Sequence, residues 1–438
     1  MGILTMTTPG IQWLYRGLIA VQLFVVSPAL NAEPNKLTLQ DCIETALKNQ
    51  PVIQAAREGV NALQGRMTQA ASPYFPRITA STGHEESHVL GGQVQSISRS
   101  NTTSLSVNQV LYDFGRTGNA LDATRSSLQA AEFDEQRVIQ DTVLNVKQAY
   151  YALLAAKKLV LVSQKTTEQA ESHLKQAEAF FRSGSKPRFE VTRVEVEVNN
   201  AKLSMINAKN TVRLRTFGLY NAMGIDPGGE LLIEDVLSAP VSNPTIEQAM
   251  VEAVKNRPEL LRAEADIQAA RARIKAEEST YLPTLSANGS YNWANGSTAM
   301  GTFKFDVQDS WNAGVMLSMP LFEGWLTQGK VSEARANLHA LEAQGQTFRR
   351  SVLIELNQAY ADIESAEARI AVMESLLKKA DESLELAQGR YAAGVGTYID
   401  ITDAQVASVN AETDHVQALY DYQLAAARLF KAMGRVEQ

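Results

Sequence analysis

His84-Glu85-Glu86-Ser87-His88 spells H-E-x-x-H, the pattern in which two histidines one helical turn apart hold zinc and the glutamate serves as base. That chemistry needs a helix. Pro76 before the stretch and Gly91-Gly92 after it predict a strand instead, on which the two imidazoles stand roughly 13 Å apart. Gly324 to Lys330 imitates a phosphate-cradling Gly-x4-Gly-Lys loop, but Val331 follows where Mg²⁺ requires a Ser or Thr hydroxyl. His173, His339 and His415 are isolated within helical patterns. No local motif brings a nucleophile together with a base and a group to orient it. The sequence therefore predicts no enzyme, and it calls for no metal and no cofactor.

Three carboxylates form a more telling pattern. Glu190 stands six residues after Gly184, Asp400 six after Gly394, and Asp403 follows within a turn. An acid in such a place can simply serve the positive end of its own helix. Grouped around a narrow symmetry axis, the same acids would raise one another's pKa, attract cations and be relieved when the gap widens. Either role requires helices that turn at those two glycines.

Such helices are written into the chain. Leu338, Leu341, Gly345, Phe348, Val352, Leu356, Ala359, Ile363, Ala366 and Ile370 follow one another by threes and fours. The series continues through Met373, Leu377, Ala380, Leu384, Ala387 and Tyr391 without a charge. A repeat near 3.5 residues predicts a left-handed supercoil. A second seam of mostly small or mildly polar residues runs beside it, through Ala336, Ala340, Ala343, Thr347, Ser351 and Ile354 to Ala368, Val372 and Ser375. One helix with two seams has two neighbours. No proline interrupts 326–392, so a single helix of roughly 100 Å is predicted, longer than a compact domain of this size is wide.

The chain is also written twice. Lys48-Asn49-Gln50-Pro51 returns as Lys255-Asn256-Arg257-Pro258 and Pro76 as Pro283, each 207 residues on. After a three-residue insertion the offset is 210, relating Leu111 to Leu321, Tyr150 to Tyr360, Gly184 to Gly394 and Met223-Gly224 to Met433-Gly434. So constant a register marks a duplication. The predicted repeats are 33–224 and 245–438. Each holds a helix (39–71, 246–278), a β-hairpin (76–113, 283–321), a long helix (116–182, 326–392) and a final helix (189–223, 399–433). The strands of each hairpin are separated by a loop, 88–101 or 295–309. A linker, 225–244, is broken by Pro227-Gly228-Gly229 and Pro240.

Composition narrows the setting. A net charge of -7 with 5 His and no Lys/Arg cluster excludes nucleic acid as a partner. Arg16, the short apolar run from Leu18 to Val26, Pro28 and Ala32 read as a signal peptide over 1–32. Cys42 is the sole cysteine, so no intrachain disulfide can form, and the residues before it are not the small ones that precede a lipidated cysteine. The predicted strands alternate apolar residues with Ser, Thr and Asn and carry Trp and Tyr near their ends, as membrane-spanning strands do. Edges cannot stay open in lipid, and four strands are too few to close a barrel. Several copies of the chain must therefore contribute. A non-pore periplasmic coiled-coil scaffold is the alternative that these patterns leave open.

Pro320-Leu321-Phe322-Glu323-Gly324, where strand meets helix, and Arg390-Tyr391-Ala392-Ala393-Gly394 leading into Asp400 and Asp403 resemble, together with the duplication, the TolC family of outer-membrane efflux proteins. The resemblance covers essentially the whole chain beyond the signal segment. It implies a mainly α fold with a membrane β-barrel portion: a homotrimer whose chains share a 12-stranded β-barrel above an α-helical barrel, with 225–244 as an equatorial region. It implies an exit duct in the outer-membrane lipid, extending into the periplasm, for a tripartite efflux pump or a type I secretion system. The partners implied are a periplasmic adaptor and an inner-membrane transporter of RND, ABC or MFS type. By the same resemblance Asp400 and Asp403, with Glu190, form an acidic ring at the periplasmic gate, and Tyr391 belongs to its hydrogen-bond network. Ser183, Gly184 and Ser185, with Ala393, Gly394 and Val395, form the tips that meet the adaptor. The chain departs from the family pattern in having Gly396 where an arginine is known and Glu190 where an aspartate is known. Arg182, Lys186, Arg188, Arg193 and Arg390 are the cations at hand to replace that lock.

Overall fold

The computed structural model describes residues 36–91, 94–229, 231–235, 245–298 and 303–435. The expected signal peptide at 1–32 lies outside them, as does most of the second half of the linker.

Each copy begins at a capping box. Thr38 Oγ1 accepts from the Asp41 amide at 3.1 Å while the Asp41 carboxylate accepts from the Thr38 amide at 3.0 Å, starting α1 (Leu39–Asn49). Thr245 and Gln248 do the same for α5 (Ile246–Asn256). The single helices expected over 39–71 and 246–278 are each two. Pro51 and Pro258 lack an amide hydrogen and force the preceding residue into extended backbone, with Gln50 at ψ 119° and Arg257 at ψ 117°. Both prolines open new helices, α2 (Pro51–Ala71) and α6 (Pro258–Glu278).

The corner so made is used. Gln50 Nε2 donates to the carbonyls of Asn221 and Ala222 at 2.6 and 2.8 Å, and the buried Arg257 guanidinium donates to the Ala432 carbonyl while pairing with Glu259 and Glu355. These carbonyls belong to the last turns of α4 (Arg188–Met223) and α8 (Tyr398–Ala432), whose orphan acceptors are thereby satisfied.

A short 3-10 turn then leads into the strands β1 (Arg77–Gly91), β2 (Val94–Tyr112), β3 (Thr284–Thr298) and β4 (Phe303–Ser318). They form one antiparallel sheet in the order β1-β2-β3-β4. The loops expected at 88–101 and 295–309 are mostly ladder, with Ser87 paired to Ser98 and Gly91 to Val94. Backbone pairing needs no apolar side chain, so the polar, Gly-containing composition that reads as loop does not end the strands. The pairing of β2 with β3 joins the two copies into a single sheet and leaves β1 and β4 as its edges.

The long helices are α3 (Arg116–Arg182) and α7 (Leu326–Ala392), each of 67 residues, about 100 Å long. No helix among the described residues is long and apolar enough to cross a membrane. The first seam of α7 is buried from Val352 through Ile370 and again at Ala380, Leu384, Ala387 and Tyr391, largely against α8. The second seam has no neighbour: Ile354 is 70% exposed and Val372 60%. Its counterpart α3 packs against α2 and α4 as well as α6 and α8. Thus α3 has both neighbours within the chain and α7 has only one side filled.

Candidate channel mouth and membrane face

The register places the strand side chains on two unlike faces. Ile78 faces Val107, Ala80 faces Leu105, and the row continues across Tyr291 and Trp311. Ala287 with Val315 and Leu285 with Leu317 extend this face downward. The opposite face carries Ser81 with Ser104, Ser106 with Ser290, Asn108 with Asn288 and Asn292 with Ser310. On the apolar face Ile78, Val315, Leu317 and Trp311 are all more than half exposed. Tyr74, Phe75, Tyr112, Phe114, Tyr281, Phe322 and Trp325 add exposed aromatic rings where strands meet helices. An apolar band between aromatic girdles is the surface a β-barrel turns to lipid. The H-E-x-x-H stretch lies on β1, as its surroundings predict: His84 bonds Asn101 at 2.7 Å, and His88 meets Glu86 at 3.1 Å.

At the far end of the molecule both helical hairpins turn on a glycine in the left-handed region, Gly184 at φ +73° and Gly394 at φ +77°. There the amide of Ser185 donates to the Phe180 carbonyl at 2.9 Å and that of Val395 to the Arg390 carbonyl at 3.0 Å, closing the helix ends as such turns do. Ser183 Oγ reaches the Phe180 carbonyl at 2.9 Å. All six tip residues, Ser183, Gly184, Ser185, Ala393, Gly394 and Val395, are exposed, and Phe189 and Val395 present apolar surface, 71% and 73% exposed.

Behind the tips the expected gate residues take different positions. Asp400 caps its own helix: its carboxylate accepts from the Thr397 amide at 2.9 Å, and Thr397 Oγ1 accepts from the Asp400 amide. The Thr397 backbone and side-chain hydrogen bonds, aided by Arg390, hold the Asp400 carboxyl below the usual range. Asp403 is exposed one turn on. Glu190 leaves one carboxylate oxygen buried and unpartnered, as Tyr391 leaves its hydroxyl. Within the single chain the Tyr391 ring is packed: it stacks edge-on against Phe180 at 5.8 Å and Tyr398 at 5.9 Å, with Lys186 Nζ 5.7 Å above it. Burial first, then Glu190, raises its pKa.

A polar link between the two hairpins is made by Tyr398, whose hydroxyl donates to Glu197 of α4. Arg193 lies 5.9 Å over the Tyr398 ring and His173 of α3 meets its edge at 6.3 Å. Gln405 Nε2 donates to Gln169 at 2.8 Å two turns further along α8. Burial pushes the Tyr398 hydroxyl well above its ordinary pKa, helped by the bond to Glu197.

Residues 42–225 and 249–435 match the outer membrane efflux protein family. The chain belongs to that family. CyaE of Bordetella pertussis is 26% identical over 403 residues, spanning 91% of this chain and 84% of that protein. The outer membrane protein TolC of Escherichia coli is 22% identical over 415 residues, 91% and 83% of the two chains. The solved structure of CusC superposes with a TM-score of 0.79 at 19% identity, over 90% of this chain and 92% of that one. This outer membrane efflux protein thus has the mainly α fold with a β-barrel portion that its two-faced sheet and long helices describe, and its place is the outer membrane.

In this family member the sequence reading found the turn glycines and the carboxylates but missed Thr397, Tyr398 and Glu197. A signal existed. At the 210 offset Thr397, Tyr398 and Glu197 stand against Pro187, Arg188 and Ala407, so the polar link is confined to positions where the two copies differ.

Proposed function

We propose that three copies of this chain close into a passive duct, gated at its periplasmic end, through which a tripartite efflux or type I secretion system discharges its substrate. The observation that carries this reading is the four-stranded sheet with one apolar face, one polar face and two open edges. Three such sheets joined edge to edge give twelve strands, enough to close a barrel with the polar face inward. The exposed second seam of α7 finds its partner in the next copy, where α4 exposes Val196, Leu203 and Ile206, so the helices close into a tube below the barrel. In the closed mouth Asp400, Asp403 and Glu190 gather around the axis as a cation-attracting ring. The link from Tyr398 to Glu197 ties the hairpin of the second copy to that of the first. The exposed tips dock a periplasmic adaptor, which couples the duct to an inner-membrane transporter of RND, ABC or MFS type.

Reconstitution in a planar bilayer tests this reading. Discrete single-channel currents from an SDS-resistant trimer are expected, with cation selectivity reduced in Asp400→Ala/Asp403→Ala. A protein that binds its partners yet conducts no current would instead be the periplasmic scaffold. Unaltered selectivity in the double variant would remove the acidic ring from the account, and failure of a Ser185 photo-crosslinker to capture any adaptor in the assembled pump would remove the docking role.

A further inference from the structure

A niche of about 1020 Å³ opens where the helices meet the sheet, with Met67, Phe75, Val110 and Leu121 among its apolar walls and Arg77 and Arg125 at its rim. Arg77 opens β1 opposite Asn108, which puts it on the polar face of the sheet, where it is the only cation among the described residues. The Arg77 guanidinium forms no hydrogen bond or ion pair among the described residues, and Arg125 pairs only with the exposed Asp122 on its own helix.

The duplication supplies an internal comparison. At the same place in the second copy, Arg125 becomes Arg335, Ala71 becomes Glu278 and Arg77 becomes Thr284. There Arg335 is neutralised by Glu278 at 2.7 Å. The first copy lacks that acid and has a second guanidinium beside an apolar floor, in a niche of a volume suited to a small organic ligand.

We infer that this niche binds amphiphilic anions, with the guanidinium of Arg77, assisted by Arg125, holding a sulfonate or carboxylate head and the apolar floor covering its tail. The inference rests on the reading of the polar face as a lumen, so that a bound anion narrows the duct where tube and barrel join.

Block of current through the reconstituted trimer tests it, with decane-1-sulfonate as probe and methanesulfonate and decan-1-ol as controls for head and tail. Decane-1-sulfonate is expected to lower the current at concentrations where neither control does. Its half-blocking concentration is expected to rise about tenfold in Arg77→Gln. It should rise likewise in Ala71→Glu, which rebuilds in the first copy the ion pair found in the second. A conducting channel that decane-1-sulfonate leaves open, equal block of wild type and either variant, or block by either control at the same concentration overturns the niche. Absence of any conductance overturns the pore itself, and the niche with it.

Discussion

Tyr398 and Glu197 join two helical hairpins through one hydrogen bond to a carboxylate, and such bonds contribute about 1.5–3 kcal/mol. On the proposed gating, in which the two hairpins part to open the mouth, Tyr398→Phe should shift it toward the open form by tenfold or more, read as larger or more frequent openings in a bilayer. Tyr391→Phe, whose hydroxyl has no partner, should leave the currents nearly as they were. His173 adds a dependence on pH. Its ring is held by burial below the ordinary value near 6.5, against the opposing pull of Glu197. Glu197 on α4 acts on it and Tyr398 on α8 meets its edge, with Arg193 of α4 lying over the Tyr398 ring. Because the folded chain binds this proton less readily than the unfolded one, stability from the neutral ring is present above about pH 6.5 and lost as pH falls. Thermal unfolding between pH 7.5 and 5.5 should show that loss in wild type and a smaller one in His173→Gln. Cys42 is fully buried and its thiol is pushed up to about 11, first by burial and then by Asp41. It should resist maleimide in the folded protein at pH 8 and react after denaturation, since the thiolate is the reactive form.

At the scale of elements, what decides behaviour is how each helix ends. Gly394 and Gly434 have nearly the same φ, +77° and +76°, yet their surroundings differ. A Cβ on Gly394 meets nothing within 4 Å, whereas one on Gly434 would come within 2.7 Å of the Asn256 carbonyl carbon at the corner between α5 and α6. Gly394→Ala should therefore cost only the left-handed backbone, about 1–2 kcal/mol. Gly434→Ala should cost clearly more, because backbone cannot give way as a side-chain end can, and denaturant unfolding of the two variants separates them. The same corner explains why the first helix of each copy reads as continuous in the sequence. Apolar spacing runs on past Pro51 and Pro258, and only the tertiary contact with the ends of α4 and α8 shows that the break is where those helices are capped.

For the whole molecule, the exposed second seam of α7 is the feature that a single chain cannot resolve. Ile354→Asp places a charge on it while leaving the buried first seam intact. The expected outcome is folded monomer in place of SDS-resistant trimer, and trimers of normal stability would show that this seam is not an interface. Much of this architecture was legible beforehand. The seam from Val352 to Tyr391 required a long helix because only that period keeps uncharged residues on one stripe. The alternation from Leu285 to Trp293 required a strand with unlike faces. The 207 and 210 offsets required two equivalent halves. Periodicity reports which side of an element avoids water, and it does so one element at a time. It carries nothing about partners far apart in the chain, so the pairing of β2 with β3 across the two copies, the bond from Tyr398 to Glu197, and the opposite fates of Arg125 and Arg335 were decided only when the folded chain brought separate elements into contact.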